Sequence, residues 1–141
     1  MQKTTDQLMN EIQNSHEIEK FLENNNGEFT EEPLCDHLEH LLKEKKLQKS
    51  KVVARSGLNR IYGYQILSGK RVLSRDKLIA LCFGMMLDID ETDDLLKYAG
   101  YNPLYVRNKR DSIIIFAISN KKSIFTANEM LFDNDFEILT A

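Results

Sequence analysis

Arg60 and Gln65 carry hydrogen-bonding groups that can recognise the edges of nucleic-acid bases. Arginine can donate two hydrogen bonds to the acceptors of guanine, and glutamine can pair with adenine. In a helix that begins at Arg60, these two side chains and Ile61 lie near one outward side, at positions i, i+5 and i+1. The spacing therefore indicates a surface chemically suited to the major groove of double-stranded DNA.

The residues around this surface predict two short helices joined by a turn. The first helix is predicted over residues 50–56, and Gly57 follows it where the chain must adopt a positive φ. Leu58 is predicted to fill the corner, and Asn59 is predicted to cap the second helix, Arg60–Leu67. Two helices joined by a three-residue turn that contains glycine are typical of a helix-turn-helix.

The same stretch resembles the phage-repressor type of helix-turn-helix, also called the XRE-like family, whose pattern aligns without a gap over residues 47–74. Ten positions match the family pattern in register. They are Leu47, Ser56, Gly57, Leu58, Asn59, Ile66, Gly69, Lys70, Arg71 and Ser74. The resemblance implies an all-α fold, a repressor-type five-helix helix-turn-helix domain with additional N-terminal and C-terminal helices.

Gly63 and Val53 depart from the family pattern in a related way. The family has an inward isoleucine in place of Gly63 and an inward alanine in place of Val53, and the two positions face each other. We therefore predict a volume swap, in which Val53 fills the space over Gly63. Glycine within a helix lowers stability by about 0.5 to 1 kcal/mol relative to alanine, so we expect packing to offset this loss. Lys49, Leu67 and Leu73 also replace the family's usual glutamine, glutamate and proline.

The net charge of the chain is −3, but the charge is unevenly distributed. Residues 43–77 contain eleven lysine and arginine residues against two acids, Glu44 and Asp76, and so carry +9. Residues 1–42 carry −8 and residues 78–141 carry −4. A basic segment confined to the predicted motif is typical of phosphate binding, whereas a solvated lysine-rich surface usually has acids interspersed.

The sequence pattern predicts three parts. They are an N-terminal acidic helical arm (1–28), a helix-turn-helix DNA-binding domain (29–101) and a C-terminal helical extension (102–141). Thr5 and Ser15 are predicted to cap two short helices of the arm. Its few apolar positions predict that the arm docks on the domain or on a second copy, and a less favoured alternative is an autoinhibitory arm over the basic patch.

Side chains suited to N-caps predict where the other helices begin. The predicted caps are Thr30, Ser74, Asp90 and Ser123. Gly100 is predicted to end the helix that Asp90 begins. The helix after Ser74 includes residues 78–86, is apolar over most of its circumference and is predicted to be the central packing helix. Residues 112–119 suit a buried helix or a short strand, and the helical surroundings favour a helix.

No residue pattern indicates an enzyme, a cofactor or a metal site, since phosphate-loop, GxSxG, HExxH and CxxC motifs are all missing. His37 and His40 are one turn apart, but structural zinc needs four ligands, so both are predicted to face solvent on an amphipathic helix. Cys35 and Cys82 are predicted to be reduced core-type thiols. The longest apolar run, residues 113–118, has six residues. A membrane span needs roughly 18, so no membrane partner is expected.

The first functional hypothesis is a sequence-specific double-stranded DNA-binding transcriptional regulator of the XRE-like type, as found in bacteria and phages. We expect it to be cytoplasmic, nucleoid-associated when bound, and a homodimer that associates through residues 103–141, which hold more apolar residues than a monomer needs. Predicted base contacts are Arg60, Ile61 and Gln65. Predicted contacts with the DNA backbone are Lys49, Asn59, Tyr62, Tyr64, Ser68, Lys70 and Arg71.

The alternative hypothesis is a protein-interaction adaptor that keeps the helix-turn-helix scaffold and no longer binds DNA. In that case Tyr62, Tyr64 and Leu67 would form an aromatic and apolar patch for a protein partner, and Gly63 would mark a motif that has drifted. Salt separates the two hypotheses, because binding to phosphates weakens steeply with salt and an apolar protein contact does not.

Overall fold

The computed structural model describes residues 3–29, 33–71 and 73–141, and every regular element within these ranges is helical. The predicted all-α class is therefore confirmed for the described residues. The chain forms two compact units, residues 1–32 and 33–141, so residues 102–141 belong to the same unit as residues 33–101. Among the described residues, no helix has the length and apolar character needed to cross a membrane.

The α-helices of the described ranges are numbered in chain order. They are α1 (Thr5–Gln13), α2 (Ile18–Asn24), α3 (Leu34–Glu44), α4 (Lys49–Ser56), α5 (Arg60–Leu67), α6 (Arg75–Gly84), α7 (Ile89–Tyr98), α8 (Lys109–Ser119) and α9 (Ile124–Asp133).

In the first unit, both predicted caps are wrong. Thr4, not Thr5, caps α1, because its side chain accepts the backbone N–H of Gln7 at 3.1 Å. Ser15 does not cap α2, since its hydroxyl donates to the carbonyl of Glu11 at the end of α1. Several threonine, serine and asparagine residues compete for these positions, so the sequence alone could not select the cap.

In the second unit, the predicted cap Thr30 lies outside the described residues. Helix α3 begins at Leu34 and has no side-chain cap hydrogen bond. Ser74 and Ser123 cap α6 and α9 as predicted. The cap of α7 is Asp88, not Asp90, because the Asp88 carboxylate accepts the N–H of Glu91 in a reciprocal capping box.

Helix α6 lies at the centre of the core, and its residues from Leu78 to Gly84 are all buried. The prediction of a central packing helix is therefore confirmed, with one correction. The helix ends at Gly84, and Met86 adopts a positive φ of 56° and is 65% exposed. Gly84 allows close approach of α4, since a Cβ built on it would lie 2.3 Å from the carbonyl oxygen of Val52.

The C-terminal segment adds two helices to the same core. Residues 112–119 lie in α8, so the helical alternative is confirmed and the strand is excluded. The side chains that looked surplus in the sequence are largely buried within the chain itself, among them Ile114, Leu131 and Leu139. That burial weakens the argument from composition for self-association.

Two bidentate ion pairs join the start of α6 to the start of α8. The guanidinium of Arg75 donates to both carboxylate oxygens of Asp111, at 3.2 and 3.1 Å. In a second pair, Arg110 donates to both oxygens of Asp76, at 2.9 and 3.0 Å. Each helix therefore supplies one arginine and one aspartate. They fix the C-terminal segment in place on α6.

Candidate nucleic-acid interface

Helices α4 and α5 are joined by the turn that the sequence predicted. Gly57 has a φ of +70°, a left-handed conformation that favours glycine. Leu58 is buried in the corner. The side-chain oxygen of Asn59 accepts the backbone N–H groups of Ile61 and Tyr62 at 3.0 and 3.2 Å, so Asn59 caps α5 as predicted. The turn and its cap therefore set the direction in which α5 leaves α4.

The predicted volume swap between Val53 and Gly63 is confirmed. Both residues are buried, and a Cβ built on Gly63 would lie 2.6 Å from Cγ1 of Val53 and 3.1 Å from its Cγ2. Carbon atoms make favourable contacts near 3.5 to 4.0 Å, so a side chain at position 63 has no room. The glycine brings α5 close to α4, and the valine fills the space between them.

Gly63→Ala is expected to destabilise the protein by about 1 to 3 kcal/mol, although alanine is the better helix former. In a Val53→Ala background the same change should be neutral or stabilising, because the space is then free. Urea unfolding of the wild type, both single variants and the double variant measures this coupling. An equal effect of Gly63→Ala in both backgrounds would contradict the volume swap.

Most of the predicted contact residues border one open groove on α5, called here the α5 groove. Its lining residues are Lys49, Arg60, Ile61, Tyr64, Gln65, Leu67, Ser68 and Lys70. Lys49 comes from the start of α4 and Lys70 follows the end of α5, so cations lie at the borders of the helix surface. Ile61 is 70% exposed. An apolar side chain held out in this way suits contact with a partner's apolar atoms.

Three predicted contacts, Asn59, Tyr62 and Arg71, are absent from the groove lining. Asn59 is exposed but uses its side-chain oxygen in the cap of α5, which leaves its amide nitrogen as the donor for a phosphate. Arg71 lies with its guanidinium carbon 5.8 Å from the ring centre of Tyr62. Its Nε also donates to Oε1 of Gln65 at 2.9 Å.

Leu67 requires a correction. The adaptor hypothesis placed it with Tyr62 and Tyr64 on an exposed patch, but Leu67 is only 5% exposed and packs in the core. The apolar residue that does stand out on α5 is Ile61, at its N-terminal end. The patch proposed for a protein partner therefore loses its aliphatic member.

Several cations of the basic segment have structural partners. Lys45 pairs with Glu91, the Nε of Arg55 donates to the carbonyl of Gly84, and Arg75 pairs with Asp111. These side chains are thereby committed to folding contacts, and the sequence count overstated the charge available to a partner.

The cations that remain available are near α5. Lys49 approaches Glu39 only at 3.8 Å, with both side chains nearly half exposed. Within the described ranges, the side chains of Lys51, Arg60 and Lys70 are exposed and make no hydrogen bond or ion pair. An exposed and unpaired cation can bind a phosphate without first breaking an ion pair within the protein. This part of the basic segment therefore suits an anionic partner.

Within the described residues, the histidines and cysteines form no metal site. His37 stacks on Tyr98, with ring centres 3.9 Å apart, so it does not simply face solvent as predicted. In the described part of the chain, no group of three or more histidine, cysteine or acidic side chains could hold a metal ion. Both cysteines are free thiols; Cys82 is buried as predicted, whereas Cys35 is only half-buried. Burial raises the pKa of Cys82 to about 12, so this thiol stays protonated at neutral pH.

The contact between Arg71 and Gln65 was not predicted from the sequence. Arg71 was assigned to the DNA backbone because of its place in the family pattern. Gln65 lies in the last turns of α5, and Arg71 follows the left-handed Gly69, whose φ is +80°. No helical periodicity relates residues across such a turn, so the only available signal was the presence of a long cation just beyond it.

Comparison of the chain with protein-family models, with curated proteins and with solved structures gives no significant match.

Proposed function

We propose that this protein is a sequence-specific double-stranded DNA-binding transcriptional regulator, and not an enzyme. In this proposal α3 to α7 form a repressor-type five-helix domain, α4 and α5 form its helix-turn-helix, and α5 enters the major groove. The protein would act in the cytoplasm, on the nucleoid when bound. The resemblance of residues 47–74 to the XRE-like pattern supports this proposal.

The observation that carries the proposal is the α5 groove. It combines Arg60, Ile61 and Gln65, which can contact base edges, with Lys49 and Lys70 at its borders. Base contacts give sequence preference, and phosphate contacts fix the position of the protein on the duplex. One exposed helix surface therefore offers both kinds of contact.

Dimerisation is part of the same proposal. Two copies of a helix-turn-helix domain commonly bind half-sites about one helical turn of DNA apart. In the C-terminal segment, Phe116, Phe125 and Phe132 remain exposed, although other apolar side chains such as Ile114 and Leu131 are buried. Sedimentation of the protein with and without duplex DNA tests this arrangement, and a monomer in both cases would exclude it.

Substitutions in the α5 groove should separate base contacts from phosphate contacts. Arg60→Ala and Gln65→Ala are each expected to relax the preference at one base position, at a cost of about 1 to 3 kcal/mol. Lys70→Ala should weaken binding to all sequences alike and lower the slope of log K against log salt by about one. Selection of bound sequences, followed by titrations at two salt concentrations, measures both effects.

Lys97→Ala is the control, since Lys97 is exposed on α7 and outside the α5 groove. It should change neither the preferred sequence nor the affinity appreciably. Uniform weakening by all three groove variants, with unchanged base preference, would contradict the assigned contacts. A folded wild-type protein that shows no salt-dependent DNA binding would contradict the function itself, and a protein partner should then be sought.

A further inference from the structure

Arg71 connects two residues of α5 that lie on the same face of the helix. Tyr62 and Gln65 are three positions apart, a spacing that makes side chains neighbours on a helix. The guanidinium of Arg71 lies over the ring of Tyr62, 5.8 Å from its centre, and its Nε donates to Oε1 of Gln65 at 2.9 Å. The ring and the amide oxygen thus hold the guanidinium from two sides.

The hydrogen bond from Arg71 affects what Gln65 can present to a partner. A free glutamine amide can turn either its oxygen, an acceptor, or its NH2 group, a donor, towards a base. A hydrogen bond from a charged donor is roughly twice as strong as one between neutral groups. Because Oε1 is engaged by a cation, the orientation in which the NH2 group is left free is favoured.

The side-chain NH2 group of Gln65 lies where a DNA base would be contacted in the proposed complex. Its Nε2 has no hydrogen-bond acceptor within the described residues, and Gln65 is part of the α5 groove lining. In the major groove, adenine and guanine both present N7 as an acceptor, guanine adds O6, and thymine presents O4, whereas cytosine presents only its N4 donor. An NH2 group held towards the groove is therefore complementary to adenine, guanine or thymine and not to cytosine.

We propose that Arg71 is a positioning residue for base recognition, which orients Gln65 so that its NH2 group donates to an acceptor on a base edge. The inference rests on the proposed DNA-binding function and differs from the assignment of Arg71 as a backbone contact alone. A cation that only contacts phosphate strengthens binding to every sequence equally, whereas a cation that orients Gln65 also sets the preference at one base position.

Arg71→Lys is the informative variant, because lysine keeps the positive charge and lacks the planar guanidinium that bridges Tyr62 and Gln65. Gln65→Ala first identifies the base position that Gln65 contacts. At that position the wild type should discriminate against cytosine, and Arg71→Lys should reduce this discrimination by about tenfold, within the range expected for one base contact. Binding to non-specific DNA should stay within about twofold, since the charge is kept.

Lys97→Arg is the matched control, because it exchanges the same two residue types at an exposed position of α7 outside the α5 groove. It should leave the base preference unchanged. The proposal is overturned if Arg71→Lys retains the wild-type preference at the Gln65 position, or if the wild type prefers cytosine there. Wild-type protein that binds no DNA would instead overturn the proposed function.

A second measurement needs no DNA. Nuclear magnetic resonance relaxation of the Gln65 side-chain NH2 group in the free protein reports how strongly the amide is held. The expected result is restricted motion in the wild type and in Lys97→Arg, and increased motion in Arg71→Lys. Equal mobility in all three proteins would overturn the positioning role, while unchanged backbone spectra would show that each variant is folded.

Discussion

Arg75→Met is expected to lower the free energy of unfolding by about 3 to 5 kcal/mol, the cost typical of removing one partner of a buried ion pair. Asp111 is 6% exposed and receives both terminal nitrogens of Arg75. Without the guanidinium, the described residues would leave the Asp111 carboxylate one hydrogen bond, from the backbone N–H of Tyr105 at 3.0 Å. A single hydrogen bond does not offset the desolvation of a buried charge.

Urea unfolding measures the loss, and Arg107→Met provides the control. Arg107 is exposed and makes no ion pair within the described ranges, so the same exchange there should change stability by less than about 0.5 kcal/mol. Replacing both partners in Arg75→Met/Asp111→Leu should recover much of the loss, because two apolar side chains leave no unpaired charge. An equally small effect of Arg75→Met and Arg107→Met would show that the pair contributes little.

Gly84→Ala is expected to destabilise the protein by about 3 kcal/mol, at the upper end of the usual cost of overpacking. The new Cβ would lie 2.3 Å from the carbonyl oxygen of Val52 and 3.2 Å from the backbone nitrogen of Ser56. Both atoms belong to the backbone of α4, which cannot rotate away as a side chain can. Helices α4 and α6 would have to separate, and the burial of Val52 between them would be reduced.

The direction of this effect is diagnostic, because alanine is favoured over glycine within a helix by about 0.5 to 1 kcal/mol. Gly27→Ala is a suitable control, since Gly27 has no positive φ and a Cβ there would meet no atom within 4 Å. That variant should be neutral within about 0.5 kcal/mol. Increased stability of Gly84→Ala would mean that α4 and α6 do not pack as closely as described.

The same contact also affects the proposed DNA-binding surface. Helix α4 supports α5 through the Val53 and Gly63 contact and is itself supported by α6 at Gly84. A shift of α4 would therefore move α5 and the α5 groove with it. Since base contacts depend on hydrogen-bond distances of about 2.7 to 3.2 Å, Gly84→Ala should also lower DNA affinity in molecules that remain folded.

The helix-turn-helix was the best predicted part of the fold. Helix α5 has the predicted limits, α4 begins one residue earlier than expected, and Gly57 and Asn59 have the predicted turn and cap roles. These features depend on interactions within a few residues, which the sequence displays directly. The caps Thr4 and Asp88 were missed for a related reason: neighbouring residues of the same type could have served, and packing selected among them.

The sequence by itself determined the all-helical class, the turn at Gly57, the exchange of volume between Val53 and Gly63, and a basic segment around α5. Each follows from local conformational preference, periodicity or composition. Only the tertiary structure decided which cations are committed to partners such as Asp111, that Leu67 is buried, and that Arg71 holds Gln65. Those outcomes depend on distances between residues far apart in the chain or on opposite sides of a turn, and such distances exist only once the helices have packed.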